Sequence, residues 1–173
     1  MEDLGISADY DNILFFLSKK NVEYLIVGGV GVRYYVKNRE ARDLDILINN
    51  TSSNIMLLQH AFHDFGIERL PSQKPYVLDG DNIKKLGDFK TLLTLSIFIF
   101  KIDIFTPTKP NIFNEIYTRK NSENIRGIPI AFPSLIDLIK MKKEDDINDQ
   151  QKKMKNLKDI QLLEEKLLGS TSN

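Results

Sequence analysis

The segment Asp43-Leu44-Asp45-Ile46-Leu47-Ile48 constrains this chain more than any other. Its apolar residues lie on both faces of an extended chain, which predicts a strand in the middle of a sheet. The exceptions are the two carboxylates, separated by one residue and so on the same face. Like charges at that spacing repel one another and resist burial. Solvent at the strand end, or a structural partner among Arg33, Arg39 and Arg42, accounts for the pair. One or two hard cations shared by the carboxylates account for it equally well.

Asp103 tips this balance. It stands within FIFKIDIF, where a buried strand has little reason to hold an acid. An ion pair with Lys101 on the same strand face is the structural alternative. That pair leaves two charges in an apolar sheet, where buried pairs seldom offset their desolvation. A third metal ligand beside Asp43 and Asp45 is therefore the expectation. Upstream, the run from Val22 to Val27 ends at Gly28-Gly29, a glycine pair between a strand and a helix. Such a pair is often a simple turn, but its backbone N–H groups and the helix N-terminus also suit a phosphate.

Periodicity supplies the frame. Helices are expected over Asp11–Lys20, Val30–Val36, Asn54–Phe65 with Gly66 as the stop, and Asn111–Arg119. Another is expected after Ser134 as N-cap. Strands are expected over 22–27, 43–48 and 128–132, and 89–105 is long enough for two adjacent strands with a bend, both inside the sheet. Residues 67–88 read as irregular with one weak strand. The charged stretch from Lys142 to Lys158 reads as a solvated loop or exposed helix leading into a packed helix around Ile160, Leu163 and Leu167. Alternating helices and strands give an α/β or α+β sandwich. One domain over 1–168 is expected, with a core at about 10–106, C-terminal elements over 107–168, and a frayed tail at 169–173.

Composition excludes several function classes. Twenty-four basic against twenty-four acidic residues give no field for general capture of nucleic acid or membrane. The absence of cysteine removes disulfides, thiolate metal sites and thiol nucleophiles. The longest apolar run, Leu92 to Phe100, is nine residues, far below the roughly 20 that a spanning helix needs. The acidic N-terminus has no apolar stretch, so a cytoplasmic location is expected. His60 and His63 lack a nearby acid pattern and read as surface or partly packed groups. Tyr34, Tyr35 and Phe89 read as core, and Lys140 and Lys143 as a solvated face.

Taken together, GGVGVRYYVKNREARDLDILI and KIDIF resemble the nucleotidyltransferases of the polymerase-β-like superfamily. These carry a Gly-Gly or Gly-Ser pair after a strand, then a D-x-D strand, then a third acid on a later strand. Here thirteen residues separate Gly29 from Asp43. The wider pattern is similar to small bacterial stand-alone members, including abortive-infection-type toxins. They have an Arg four residues before the first acid, as Arg39 is here, a segment like Ser134–Lys142, and a K-D-x-x-x-L segment like Lys158, Asp159 and Leu163. Gly29 stands where many relatives have Ser, and Ala41 where they often have Thr.

The resemblance implies a nucleotidyltransferase fold, a mixed central sheet flanked by helices with further helices at the C-terminus. It implies two magnesium ions on Asp43, Asp45 and Asp103, an NTP held by Gly28, Gly29, Arg39 and Lys142, and transfer of NMP to a hydroxyl with release of pyrophosphate. The acceptor would be a protein, a tRNA or a small molecule. The alternative is a non-catalytic member acting as a binding partner in a toxin–antitoxin-type pair.

Overall fold

A computed structural model of the chain describes residues 8–69, 80–97 and 100–170. The first helix, α1 (Ala8–Lys19), ends where Asn21 takes a left-handed φ of 56°. There Asn21 N–H bonds to Ser18 O and Val22 N–H to Leu17 O, so the last carbonyls are satisfied as the chain turns. Asn tolerates this conformation better than other residues with a Cβ. The chain then enters β1 (Tyr24–Ile26), α2 (Gly28–Tyr35) and β2 (Leu44–Ile48).

Beyond β2 come α3 (Ser52–Arg69), α4 (Gly80–Leu86), β3 (Leu92–Ile97), β4 (Phe100–Phe105) and α5 (Ile112–Thr118). A hairpin follows, β5 (Asn121–Ile125) and β6 (Ile128–Phe132), and two helices complete the fold, α6 (Leu135–Glu144) and α7 (Gln150–Ser170). Four strands make a mixed sheet in the order β1-β2-β4-β3, with β2 parallel to β4 and the other two pairs antiparallel. The order differs from expectation at one point. β3 is an edge strand, because β4 inserts between it and β2 and satisfies its ladder on one side only.

Side-chain alternation divides the sheet. Tyr24, Ile26, Ile46, Ile48, Ile102 and Ile104 pack with α1 and α3 into the main core, where Leu58 and Phe62 are completely enclosed. Burial of each such side chain stabilises the fold by about 1.5–3 kcal/mol. On the other face, Leu25 and Leu47 meet Phe113 and Ile116 of α5, with Phe105 packed against them. Val32, Leu138, Ile139 and Leu163 form a third cluster that joins α2, α6 and α7.

Other departures have local causes. Gly66 does not stop α3, which runs on to Arg69; Gly66 is buried, and it is not among the glycines with positive φ. The weak strand expected within 67–88 is not found among the described residues. Its C-terminal part forms α4, anchored by the enclosed Leu86, and 70–79 lie outside the described residues. β5 has no apolar alternation to announce it. It exists because Arg126 and Gly127, both at positive φ, make a tight turn that returns the chain along β6. The charged stretch is helical from Gln150, and α7 continues through Gly169 and Ser170, where fraying was expected; 171–173 are outside the described residues. No helix among the described residues is long and apolar enough to cross a membrane.

Ser134 caps α6 as expected, accepting from Asp137 N–H at 3.2 Å while its own hydroxyl donates to the Asp137 carboxylate at 2.5 Å. Arg119 adds a bidentate pair to that carboxylate, at 3.0 and 2.7 Å, and joins the end of α5 to the start of α6.

A single buried amide joins both ends of the β1–β2 unit. Asn54 accepts from Glu23 N–H at 2.8 Å and donates to Glu23 O at 3.0 Å and Asn49 O at 2.8 Å. Asn54→Ala leaves these enclosed groups short of partners, so a loss of about 2–4 kcal/mol is expected in urea unfolding. A loss under about 0.5 kcal/mol would mean that the amide is not the fastener described.

Candidate active site

The parallel pairing of β2 with β4 sets Asp45 directly beside Asp103. Neighbouring strands lie roughly 4.8 Å apart, so two carboxylates at this register on one face repel strongly. Asp43 lies one strand repeat further toward solvent on the same face and is exposed, Asp45 is partly buried, and Asp103 is buried. Burial first, then repulsion from Asp103, pushes the Asp45 carboxyl up to about 6; the Gly29 N–H and Lys101 oppose this, and Asp43 adds to it.

Asp103 is held from two sides. Thr94, its register partner on β3, donates to one oxygen at 2.6 Å, and Lys101 Nζ reaches the other at 2.7 Å. The ion pair judged unfavourable from the sequence is thus present. Its cost is lowered because the Lys101 side chain is 44% exposed, so only the acid gives up most of its water. The hydrogen bond to Asp103 raises the Lys101 pKa. Above this pair the buried Tyr10 of α1 donates to Lys101 O at 2.9 Å and lies 3.3 Å from Arg42 O, so it bridges the starts of the two acid-bearing strands.

Gly28 and Gly29 stand against the acids. Gly28 has φ +57°, and a Cβ there would lie 1.7 Å from Asp45 Oδ2, so the glycine is required both by backbone and by space. The pair therefore admits Asp45 to the start of α2. Gly29 and Ala41, the two departures from the resembled pattern, face one another: a Cβ on Gly29 would be 3.3 Å from that of Ala41. The hydroxyls of the resembled pattern are missing here from one shared spot.

Arg39 and Lys142 converge from different elements on one acid that sequence reasoning had not placed in the site. Asp159 of α7, nearly inaccessible, accepts from Arg39 Nε at 2.6 Å and Nη2 at 3.2 Å, and pairs with Lys142 Nζ at 3.1 Å. Burial pushes its pKa up, but Arg39 and Lys142 outweigh this and hold it below the ordinary value. Lys142 also donates to Asn156 Oδ1 at 3.1 Å, and Asn156 donates back to Lys142 O at 2.7 Å. A signal was available: Asn156, Asp159, Ile160 and Leu163 share a helical face, and polar groups within an apolar stripe need buried partners.

All seven predicted site residues, Gly28, Gly29, Arg39, Asp43, Asp45, Asp103 and Lys142, line one cleft of about 580 Å³, joined by Lys101, Asp145 and Asp159 among others. Arg33 instead buttresses the loop, reaching Arg39 O at 3.5 Å. His63 faces Asp64, Lys143 pairs with Glu164, and Tyr34 stacks on Phe132, all away from the cleft. In charge, the acids fit a hard cation, since the Gly29 N–H and Lys101 only partly offset the burial and repulsion that Asp45 carries. In placement the fit is partial: among the described residues no three acidic or histidine side chains gather as a metal group, with both Asp103 oxygens engaged by Lys101 and Thr94.

No protein-family model and no curated protein matches the chain. Among solved structures it is similar to an antigenic nucleotidyltransferase-like protein from Paracoccidioides brasiliensis, with TM-score 0.55 and 15% identity over 91% of this chain and 77% of that one. The fold is accordingly nucleotidyltransferase-like: a mixed sheet flanked by helices, with two helices at the C-terminal end.

The raised Asp45 pKa has a sign that can be checked. Below about 3.8 folded and unfolded chains both hold the proton; between 3.8 and about 6 the unfolded chain loses it first, so stability falls as pH rises, and above 6 the loss is complete. In chelator, Asp45→Asn is expected to be more stable than the parent at pH 7, by order of 2 kcal/mol, with the difference vanishing near pH 3.5. Parallel urea midpoints for the two proteins across this range would contradict the assignment.

Proposed function

We propose that this chain is a metal-dependent nucleotidyltransferase that moves NMP from an NTP to a hydroxyl acceptor. The observation that carries this reading is the register of Asp45 with Asp103 inside a cleft that also gathers Asp43, a glycine pair and two convergent cations. Fold similarity supports the same reading.

Asp43, Asp45 and Asp103 would hold magnesium, which supplies charge neutralisation at the transferring phosphoryl group. Lys101 would then release its oxygen of Asp103, which its exposed side chain permits. Gly28 and Gly29 offer a wall of the acid pair without side chains, where phosphate oxygens can approach backbone N–H groups. Arg39 and Lys142 point their charge toward the same side and suit the leaving pyrophosphate. In the transfer, the acceptor oxygen bonds the α-phosphorus, the bond from α-phosphorus to the bridging oxygen breaks, and the acceptor's proton passes to Asp103. The acceptor would be a protein side chain, a tRNA end or a small molecule.

One observation favours a second reading. With Lys101 neutralising Asp103, the acid face is partly self-compensated, as in a fold retained as the binding partner of an antitoxin or toxin. Incubation of a cell extract with α-labelled NTP and magnesium separates the two. The enzyme reading expects a labelled acceptor, lost by at least about 100-fold with Asp45→Asn; no label and no magnesium-dependent NTP binding would leave the binding reading.

Asp159 acts through the groups it orients. Asp159→Asn is expected to lower kcat/KM by about 100-fold while the protein stays folded. Most of this should appear in KM for NTP, because Arg39 and Lys142 lose their shared anchor. An unchanged KM with a lower melting temperature would reduce Asp159 to a structural tie.

A further inference from the structure

β3 is an edge strand that its own composition does nothing to protect. Its ladder with β4 uses every second residue. Lys101 turns its N–H and C=O toward Tyr10, on the β2 side, and Thr106 N–H bonds to Thr91 O, so Ile102 and Ile104 serve β3 through Leu95 and Leu93. The N–H and C=O groups of Leu92, Thr94 and Ser96 therefore point away from the sheet, and among the described residues no strand pairs with them.

Natural edges are usually blunted by charge, proline or a bulge. β5, the outer strand of the hairpin, carries Glu123 among polar neighbours, whereas the run from Thr91 to Ile97 holds no charge and no proline. The core is also unfinished at this border, where Leu93 and Ile83 of α4 pack on the main cluster but are only partly buried. On the opposite face Leu92 is 54% exposed.

We propose that β3 pairs with β3 of a second copy of this chain, antiparallel and centred on Thr94. A twofold axis normal to the sheet sets Thr94 opposite its equivalent, Leu92 opposite Ser96 of the second copy, and Leu93 opposite Leu95 of the second copy. Each outward N–H then finds an outward C=O, no like charges meet, and Leu93 of each copy covers the core border of the other. A strand of unrelated sequence offers the same backbone groups, but a second copy also brings the matching leucines and removes both exposed edges at once. The two four-stranded sheets become one continuous sheet with both acid faces on the same side. Three strand spacings, roughly 14 Å, separate Asp103 from its equivalent, and the two Thr94 side chains that support these acids stand between them. Two clefts thus open onto one strip of sheet, an arrangement that holds whether or not the chain transfers nucleotides.

Sedimentation of the full chain tests this, with far-UV circular dichroism as the check on folding. The interface is small, so a dissociation constant in about the micromolar range is expected. Ser96→Pro removes an outward N–H and leaves the ladder to β4 intact, and by symmetry the dimer loses two hydrogen bonds. Dimerisation is expected to weaken by about tenfold or more with the spectrum unchanged. The chain has no cysteine, so an introduced thiol reports on its own position alone. Thr94→Cys sets two thiols in a hydrogen-bonded pair with Cα atoms about 5.5 Å apart, within disulfide range, so mild oxidation should give a covalent dimer, and Glu123→Cys on β5 should not. If Ser96→Pro does not fold, the Thr94→Cys cross-link decides alone. A chain that stays monomeric at roughly 200 μM, a folded Ser96→Pro variant that dimerises as tightly as the parent, or cross-linking through Glu123→Cys in place of Thr94→Cys overturns the proposal.

Discussion

The repulsion between Asp45 and Asp103 is the interaction on which the arrangement of this molecule turns. Parallel pairing of two apolar strands forces the carboxylates together, and no rotation of either side chain removes them from the same face. The surroundings are organised to tolerate it. Thr94 and Lys101 support one acid, the Gly29 N–H supports the other, and the absence of a Cβ at Gly28 leaves room for Asp45 to lean away from its neighbour. Tyr10, from the far end of the main core, keeps the two strand starts from separating. A structure that merely needed a stable sheet would gain by replacing these groups with apolar ones. In the proposed function, these are the charges that a bound metal would neutralise.

A second centre balances the first. Around Asp159 the charges are reversed, with two cations sharing one buried acid. The cleft therefore has an electron-rich floor on the sheet and a cation-rich wall built from the loop before β2, from α6 and from α7. A ligand that is anionic at one end and binds hard cations along its length matches both. Neither centre is visible in the net charge of the chain, which is zero.

The sheet, its helices and the acid-bearing strands were legible because burial writes itself into periodicity. Leu44 to Ile48 and Ile102 to Phe105 announce themselves by the chemistry they can bury, and Ser134 by a cap that needs only three residues. What escaped notice has a common physical origin. β5 is held by a turn and by ladder hydrogen bonds, which polar residues make as well as apolar ones. The edge position of β3 depends on which strand β4 chooses as neighbour, a pairing fixed by long-range register and not by any residue within β3. Gly66 reads as a stop in isolation, yet it is buried beside Phe62 and Phe65 without a positive φ, and the helix runs through it. In the site, the acids were read correctly as neighbours. The Lys101 pair was misjudged because exposure of one partner, which decides the desolvation cost, is a property of the fold.

The anchoring of Arg39 and Lys142 by one side chain of α7 has an implication for how related chains can vary. A helix turns about 100° per residue, so inserting one residue between Asn156 and Asp159 would carry the two to different sides of α7 and break the shared hold on Lys142. The same insertion in the link between α6 and α7, residues 145–149, would be absorbed by loop conformation. Length should therefore drift freely in that link, while the phase between Lys142's partner Asn156 and Asp159 stays locked, so that the last helix behaves as a key cut to the cleft and not as a lid laid over it.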